Sequence, residues 1–153
     1  MAANRWLPTF STVLSPYRYS LYRYPLALVA MSLLLCQMLC QTVRSLLEDT
    51  RNLQSEIAES SQAASSRVVQ LQSQFQQIVA ELSESDFNPT VEGRLRPLQT
   101  EGHRQLKLAG IAAMRLKTAK QPQTVAAMQS QVIEHLSQLQ NFLESMASEL
   151  CNL

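Results

Sequence analysis

Few residues in this 153-residue chain could do chemistry. The cysteines are Cys36, Cys40 and Cys151, two of them four apart. At that spacing on a helix the two stack on one face, so a bridge between them closes almost no loop and adds little stability. A soft-metal pair lacks ligands, because His103 and His135 are distant in sequence and there is no C-x2-C. The cysteines therefore read as reduced, buried thiols acting as small apolar side chains, in a reducing, cytoplasmic setting. Glu134 and His135 are neighbours and point about 100° apart on a helix. Glu101 and His103 do not face each other either. His103 lies in the polar stretch Gln99–Gln105 and reads as a surface or interface residue. Without a G-x-S-x-G, a phosphate loop, paired carboxylates or a Cys/His dyad, the chain reads as a non-enzyme. No cofactor, metal or small-molecule substrate is expected.

The elements that carry these residues follow from composition and periodicity. Apolar residues make up 46%, Gly is only 3 and aromatics are 6%, while 24 residues are Leu, 17 Gln and 17 Ser. That profile disfavours sandwiches and Rossmann-type folds and suits long Leu-seamed helices in about one domain. A first stripe runs Leu35, Leu39, Thr42, Leu46, Thr50, Leu53, Ile57, in steps of three and four. The Ser/Ala-rich junction Ser60–Ser66 predicts a turn whose serines cap the next helix. The stripe resumes as Val68, Leu71, Phe75, Ile78, Leu82. Asn88-Pro89 marks the clearest break, with Asp86 and Thr90 as capping candidates. A third helix is expected from about Val91, or from Pro97, to Thr118 along Leu95, Leu98, Leu106, Ala109, Ala113 and Leu116. Its Gly102 and Gly110, with Ala109, Ala112 and Ala113, form a small-residue face that lets a neighbour come close. The last helix, capped by Thr124, carries Val125, Met128, Val132, Leu136, Leu139, Leu143, Met146 and Leu150. The expected fold is all-α, with long amphipathic helices in an antiparallel bundle, or in a hairpin that completes its core as a homodimer.

Residues 1–30 differ from the rest. They hold Trp6, all four tyrosines (Tyr17, Tyr19, Tyr22, Tyr24), three arginines and no acid, and Pro25–Cys36 is a twelve-residue apolar run. A span needs about 20 such residues. The preferred reading is an N-terminal extension, disordered or loosely helical, before a helical domain over residues 31–153. The alternative is an inner-membrane signal anchor over residues 25–40 presenting a coiled coil, with membrane contact through residues 17–40.

A net charge of +1 conceals a segregation. Residues 31–92 carry three arginines against eight acids, net −5, whereas residues 93–120 carry seven cations against Glu101 alone, net +6. Two readings stay open for this basic third helix. Its cations pair with Glu48, Glu56, Glu81 or Glu84 across the bundle surface, or Arg94, Arg104, Lys107, Arg115 and Lys117 meet an acidic protein partner. Nucleic acid is not expected, since the segment has no aromatic for stacking.

The string Leu98-Gln99-Thr100-Glu101-Gly102-His103-Arg104-Gln105-Leu106-Lys107-Leu108, followed by Met114-Arg115-Leu116-Lys117-Thr118-Ala119-Lys120-Gln121-Pro122-Gln123-Thr124, is similar to the core of the cyanobacterial heterocyst frequency control protein PatD family. Val68–Ile78 resembles that family's Gln-rich second segment, and the likeness spans roughly Met31 to Phe142. The resemblance implies a small cytoplasmic helical regulator that limits heterocyst differentiation by promoting assembly of the tubulin-like division protein FtsZ. It brings no catalytic residues.

Overall fold

A computed structural model describes the backbone of residues 24–60 and 63–152 and the side chains from Ala30 onward. Four helices follow one another: α1 (Tyr24–Glu59), α2 (Ala64–Glu84), α3 (Pro89–Thr118) and α4 (Pro122–Cys151). The chain divides after Ser32, and the bundle belongs to the second unit, Leu33–Leu153. Most of the expected extension, residues 1–30, lies outside the described residues; from Tyr24 the backbone is helical.

Cross-helix bonds give the order of packing. Arg67 of α2 meets Glu56 of α1, Gln72 of α2 reaches the Leu106 carbonyl of α3, His135 of α4 pairs with Gln105 of α3, and Arg51 of α1 meets Glu144 of α4. A second contact at each interface, Asp49 with Gln74, Phe75 with Gly102, Arg94 with Glu149 and Ile57 with Gln129, runs the opposite way along the partner, so every helix is antiparallel to its neighbours and α1 lies diagonally across from α3. The chain is an all-α antiparallel four-helix bundle that closes its own core.

The core follows the predicted stripes on α2 and α4. Val68, Leu71, Phe75, Ile78 and Leu82 are buried, as are Val132, Leu136, Leu139, Leu143, Met146 and Leu150. On α1 the stripe differs from expectation at its start. Leu35 and Thr42 are exposed, and the buried positions are Leu39, Val43, Leu46, Thr50, Leu53 and Ile57, widened by Cys40 and Leu47. Steps of 4-3-4-3-4 keep this seam on one face, which Thr42 would leave. Buried Thr50 holds its seam position because its hydroxyl donates to the Leu46 carbonyl at 2.7 Å.

Caps and breaks also depart from the sequence reading. The α1–α2 junction is a break, but Ala63 is the N-cap of α2 and no side chain caps it. Asn88, rather than Asp86 or Thr90, caps α3: its side chain accepts from Thr90 N at 2.9 Å, worth about 1 kcal/mol. Pro89 therefore opens α3 and Pro97 lies inside it. The exposed carbonyl of Gly93, which loses its donor at Pro97, can bond water instead. Pro122 takes the first position of α4, so Thr124 is not a cap. The small-residue face is real. A Cβ on Gly102 would lie 2.7 Å from Phe75 Cζ, so the ring packs where any side chain would stand.

Candidate functional site

Two places gather the residues singled out from sequence. One is the end of the bundle where α1 enters and α4 finishes. Antiparallel pairing sets Cys40 beside Cys151 with Cα atoms 5.5 Å apart, and the two form a disulfide across a separation of 111 residues. The expectation of reduced thiols is corrected for this pair. Sequence spacing drew attention to Cys36 and Cys40, whereas the partner comes from the far end of the chain. Cys36 is free and half-buried. All three cysteines line one open groove of about 510 Å³, with Gln37, Arg44 and Leu150 among its other walls. Among the described residues, no group of three His, Cys, Asp or Glu side chains is placed to hold a metal ion.

The α1 turns next to this end are unlike any other part of the bundle. Met31, Leu33, Leu34, Leu35 and Met38 are exposed, Met31 by 69% and Leu34 by 59%. Within the described residues α1 is the one helix long and apolar enough to cross a membrane, and only 28% of its apolar window is buried.

The second place is the outward face of α3. Its buried stripe, Leu95, Gly102, Leu106, Ala109, Ala113 and Leu116, faces the core. Opposite it, at helical spacing, stand Arg104, Lys107, Ile111, Met114 and Arg115, all exposed, with Lys117 beside them. The cations divide along the helix. Toward the start, Arg94 pairs with Glu149 of α4 at 3.3 Å, Arg96 with Glu92 at 2.6 Å and Arg104 with Glu101 at 3.4 Å. Toward the end, Lys107, Arg115, Lys117 and Lys120 make no salt bridge among the described residues. The expected pairing with Glu48, Glu56, Glu81 or Glu84 does not form. Glu48 and Glu56 bridge Arg51 and Arg67 instead, because α1 is diagonal to α3.

Neither histidine joins these places. His103 is exposed over a shallow groove with Gln76, Val79, Gln99 and Thr100. His135 Nδ1 lies 2.9 Å from Oε1 of Gln105, a polar pair between α3 and α4. What the sequence reading missed is the polar register between α1 and α4. Gln54 donates to Ser137 Oγ and accepts from Gln140 Nε2, both at 2.7 Å, and Gln129 donates to the Ile57 carbonyl. The abundance of glutamine was its only signal. No family model matches the chain, and neither does any curated protein or solved structure.

Proposed function

We propose that the protein is a non-enzymatic helical interaction module anchored in a membrane by the apolar start of α1, presenting the outward face of α3 to an acidic protein partner. The observation that carries this reading is the exposure of Met31, Leu33, Leu34, Leu35 and Met38 on a helix whose apolar window is only 28% buried. A helix apolar on every side belongs in a buried or lipid environment. Twenty residues, Tyr24 to Val43, separate Arg23 from Arg44 without a charge. Leu39, Cys40 and Val43 are taken up by the bundle core, which leaves Tyr24–Met38 for lipid. Those residues span about 22 Å as helix. Tyr22, Tyr24, Arg18 and Arg23 are of the residue types that anchor such a short span at a membrane interface. Alkaline carbonate extraction of cells making the full chain tests this. The wild type should stay with the membranes, and Leu33→Asp with Leu34→Asp should release it. Extraction of the wild type into the soluble fraction would overturn the reading.

A second reading draws on the unpaired Lys107, Arg115 and Lys117 and on the resemblance to PatD: a cytoplasmic regulator that limits heterocyst differentiation through FtsZ. Co-sedimentation of the purified chain with FtsZ polymers at two salt concentrations tests it. Binding should weaken with salt and with Lys107→Glu plus Lys117→Glu. A reversal that co-sediments as well as the wild type would remove that surface from consideration.

A further inference from the structure

We infer that the bundle is displayed on the oxidising side of its membrane, where Cys40 and Cys151 are joined by exchange with a disulfide oxidant while Cys36 remains a thiol. This rests on the membrane-anchored reading and adds to it an orientation and a covalent modification. The disulfide itself carries the inference. Cys40 is 6% exposed and Cys151 is on the last turn of α4, with Cα atoms 5.5 Å apart, within ordinary disulfide reach. A lasting bond of this kind belongs to exoplasmic compartments and is rare in the cytosol.

The flanks of the apolar run agree with that orientation. Arg5, Arg18 and Arg23 precede it with no acid among them. Arg44 and Arg51 follow, two cations against three. Cationic flanks stay in the cytoplasm, and long domains cross with little regard to their own charge. The excess of cations before the run therefore agrees with a bundle on the outer side.

Exposure sets the order of the chemistry. Cys151 is exposed, so its thiolate attacks the oxidant's disulfide, forming a mixed disulfide and releasing one oxidant thiol. Cys40, buried beside it, then attacks the Cys151 sulfur and releases the second oxidant thiol. Two cysteine thiols are oxidised to one disulfide, and the oxidant takes up two electrons and two protons. Oxidation leaves Cys36 as the one remaining thiol, since the chain has three cysteines.

The test uses the full chain in bacterial cells converted to spheroplasts, read in three ways: carbonate extraction, cleavage by external protease, and alkylation of the denatured chain before and after reduction. The expected result is membrane retention, loss of the bundle to external protease, and one alkylated thiol per chain rising to three on reduction. Cys151→Ser should instead show two alkylated thiols with or without reduction. Membrane retention with a protease-protected bundle and three free thiols would overturn the orientation and leave the anchor standing. A soluble chain would overturn the anchor itself.

Discussion

The large apolar residues at the start of α1 and along α4 are of the same kinds, mostly Leu and Met, and meet opposite fates. In α4 the large apolar residues come at Val132, Leu136, Leu139, Leu143, Met146 and Leu150, and each is 1% exposed or less. In α1, Leu33, Leu34 and Leu35 are consecutive, with Met31 and Met38 around them, and their exposure runs from 44% to 69%. The apolar residue types are shared; their spacing, and the polar residues between them, are not. A stripe in steps of three and four can be covered by two neighbouring helices, whereas three leucines in a row point to three sides. The difference teaches that one kind of apolar surface is satisfied inside the chain and the other is left uncovered by it.

The sharpest way to break that contrast is a charge in each region. Leu139→Asp puts an unpaired carboxylate into a fully buried seam, and a lost leucine side chain there already costs about 2–5 kcal/mol. That consumes most of the roughly 5–15 kcal/mol stability of a domain, so the bundle should lose its cooperative thermal transition. Leu34→Asp changes an exposed side chain and should shift bundle stability by no more than about 0.5 kcal/mol. Circular dichroism melting in mild detergent checks both. Equal loss in the two variants would show that the start of α1 is packed like α4.

The stripes on α2 and α4 were legible because their periodicity is long and clean, and so was the small-residue face of α3. The start of the α1 stripe was not. Once Leu35 is taken as a seam position, Thr42 looks acceptable, and only the end of α4 at Cys151 shows where coverage begins. The Cys40–Cys151 bond was hidden for the same reason: local spacing ranks Cys36 with Cys40, and 111 residues separate the true partners. The caps failed where a proline chose the helix start, at Pro89 and Pro122, ahead of Asp86, Thr90 and Thr124. On α3 the sequence marked the basic strip, and Arg96 and Arg104 pair locally with Glu92 and Glu101, but the pairing of Arg94 with Glu149 depends on α4 being the neighbour and α1 the diagonal.

A smaller effect is expected from the two buried or half-buried glycines of α3, which test how closely a satisfied face is packed. Ala at Gly102 drives its Cβ into Phe75, a side chain with no exposure and packed neighbours on every side. Overpacking of about 1–3 kcal/mol then opposes a helix-propensity gain near 1 kcal/mol, so Gly102→Ala should destabilise by about 1 kcal/mol. At Gly110 the obstacle is the Gln72 amide, at 2.8 Å from the new Cβ. That amide is half-buried and can swing away, giving up its 2.9 Å bond to the Leu106 carbonyl. The lost bond and the propensity gain are each about 1 kcal/mol, so Gly110→Ala should be close to neutral. Urea denaturation distinguishes the two; a neutral Gly102→Ala would mean that Phe75 has room the packing does not suggest.

The smallest effect concerns charge, where the same contrast between satisfied and unsatisfied surface recurs along α3. Arg94 is already engaged by Glu149 at 3.3 Å, and Glu149 is partly shielded, with 32% of its side chain exposed. Arg94→Glu removes that attraction and sets two carboxylates against each other across α3 and α4, which should cost about 1 kcal/mol at low salt. Among the described residues Lys107 has no acidic partner to lose, so Lys107→Glu should leave stability within about 0.5 kcal/mol of the wild type. Raising the salt concentration in the same denaturation experiment provides the control. Screening should bring Arg94→Glu back toward the wild type and leave Lys107→Glu where it was, because only the first variant alters a pair close enough to feel it. A Lys107→Glu variant that is clearly destabilised would mean that the outward face of α3 is holding the bundle together rather than being left open for another molecule.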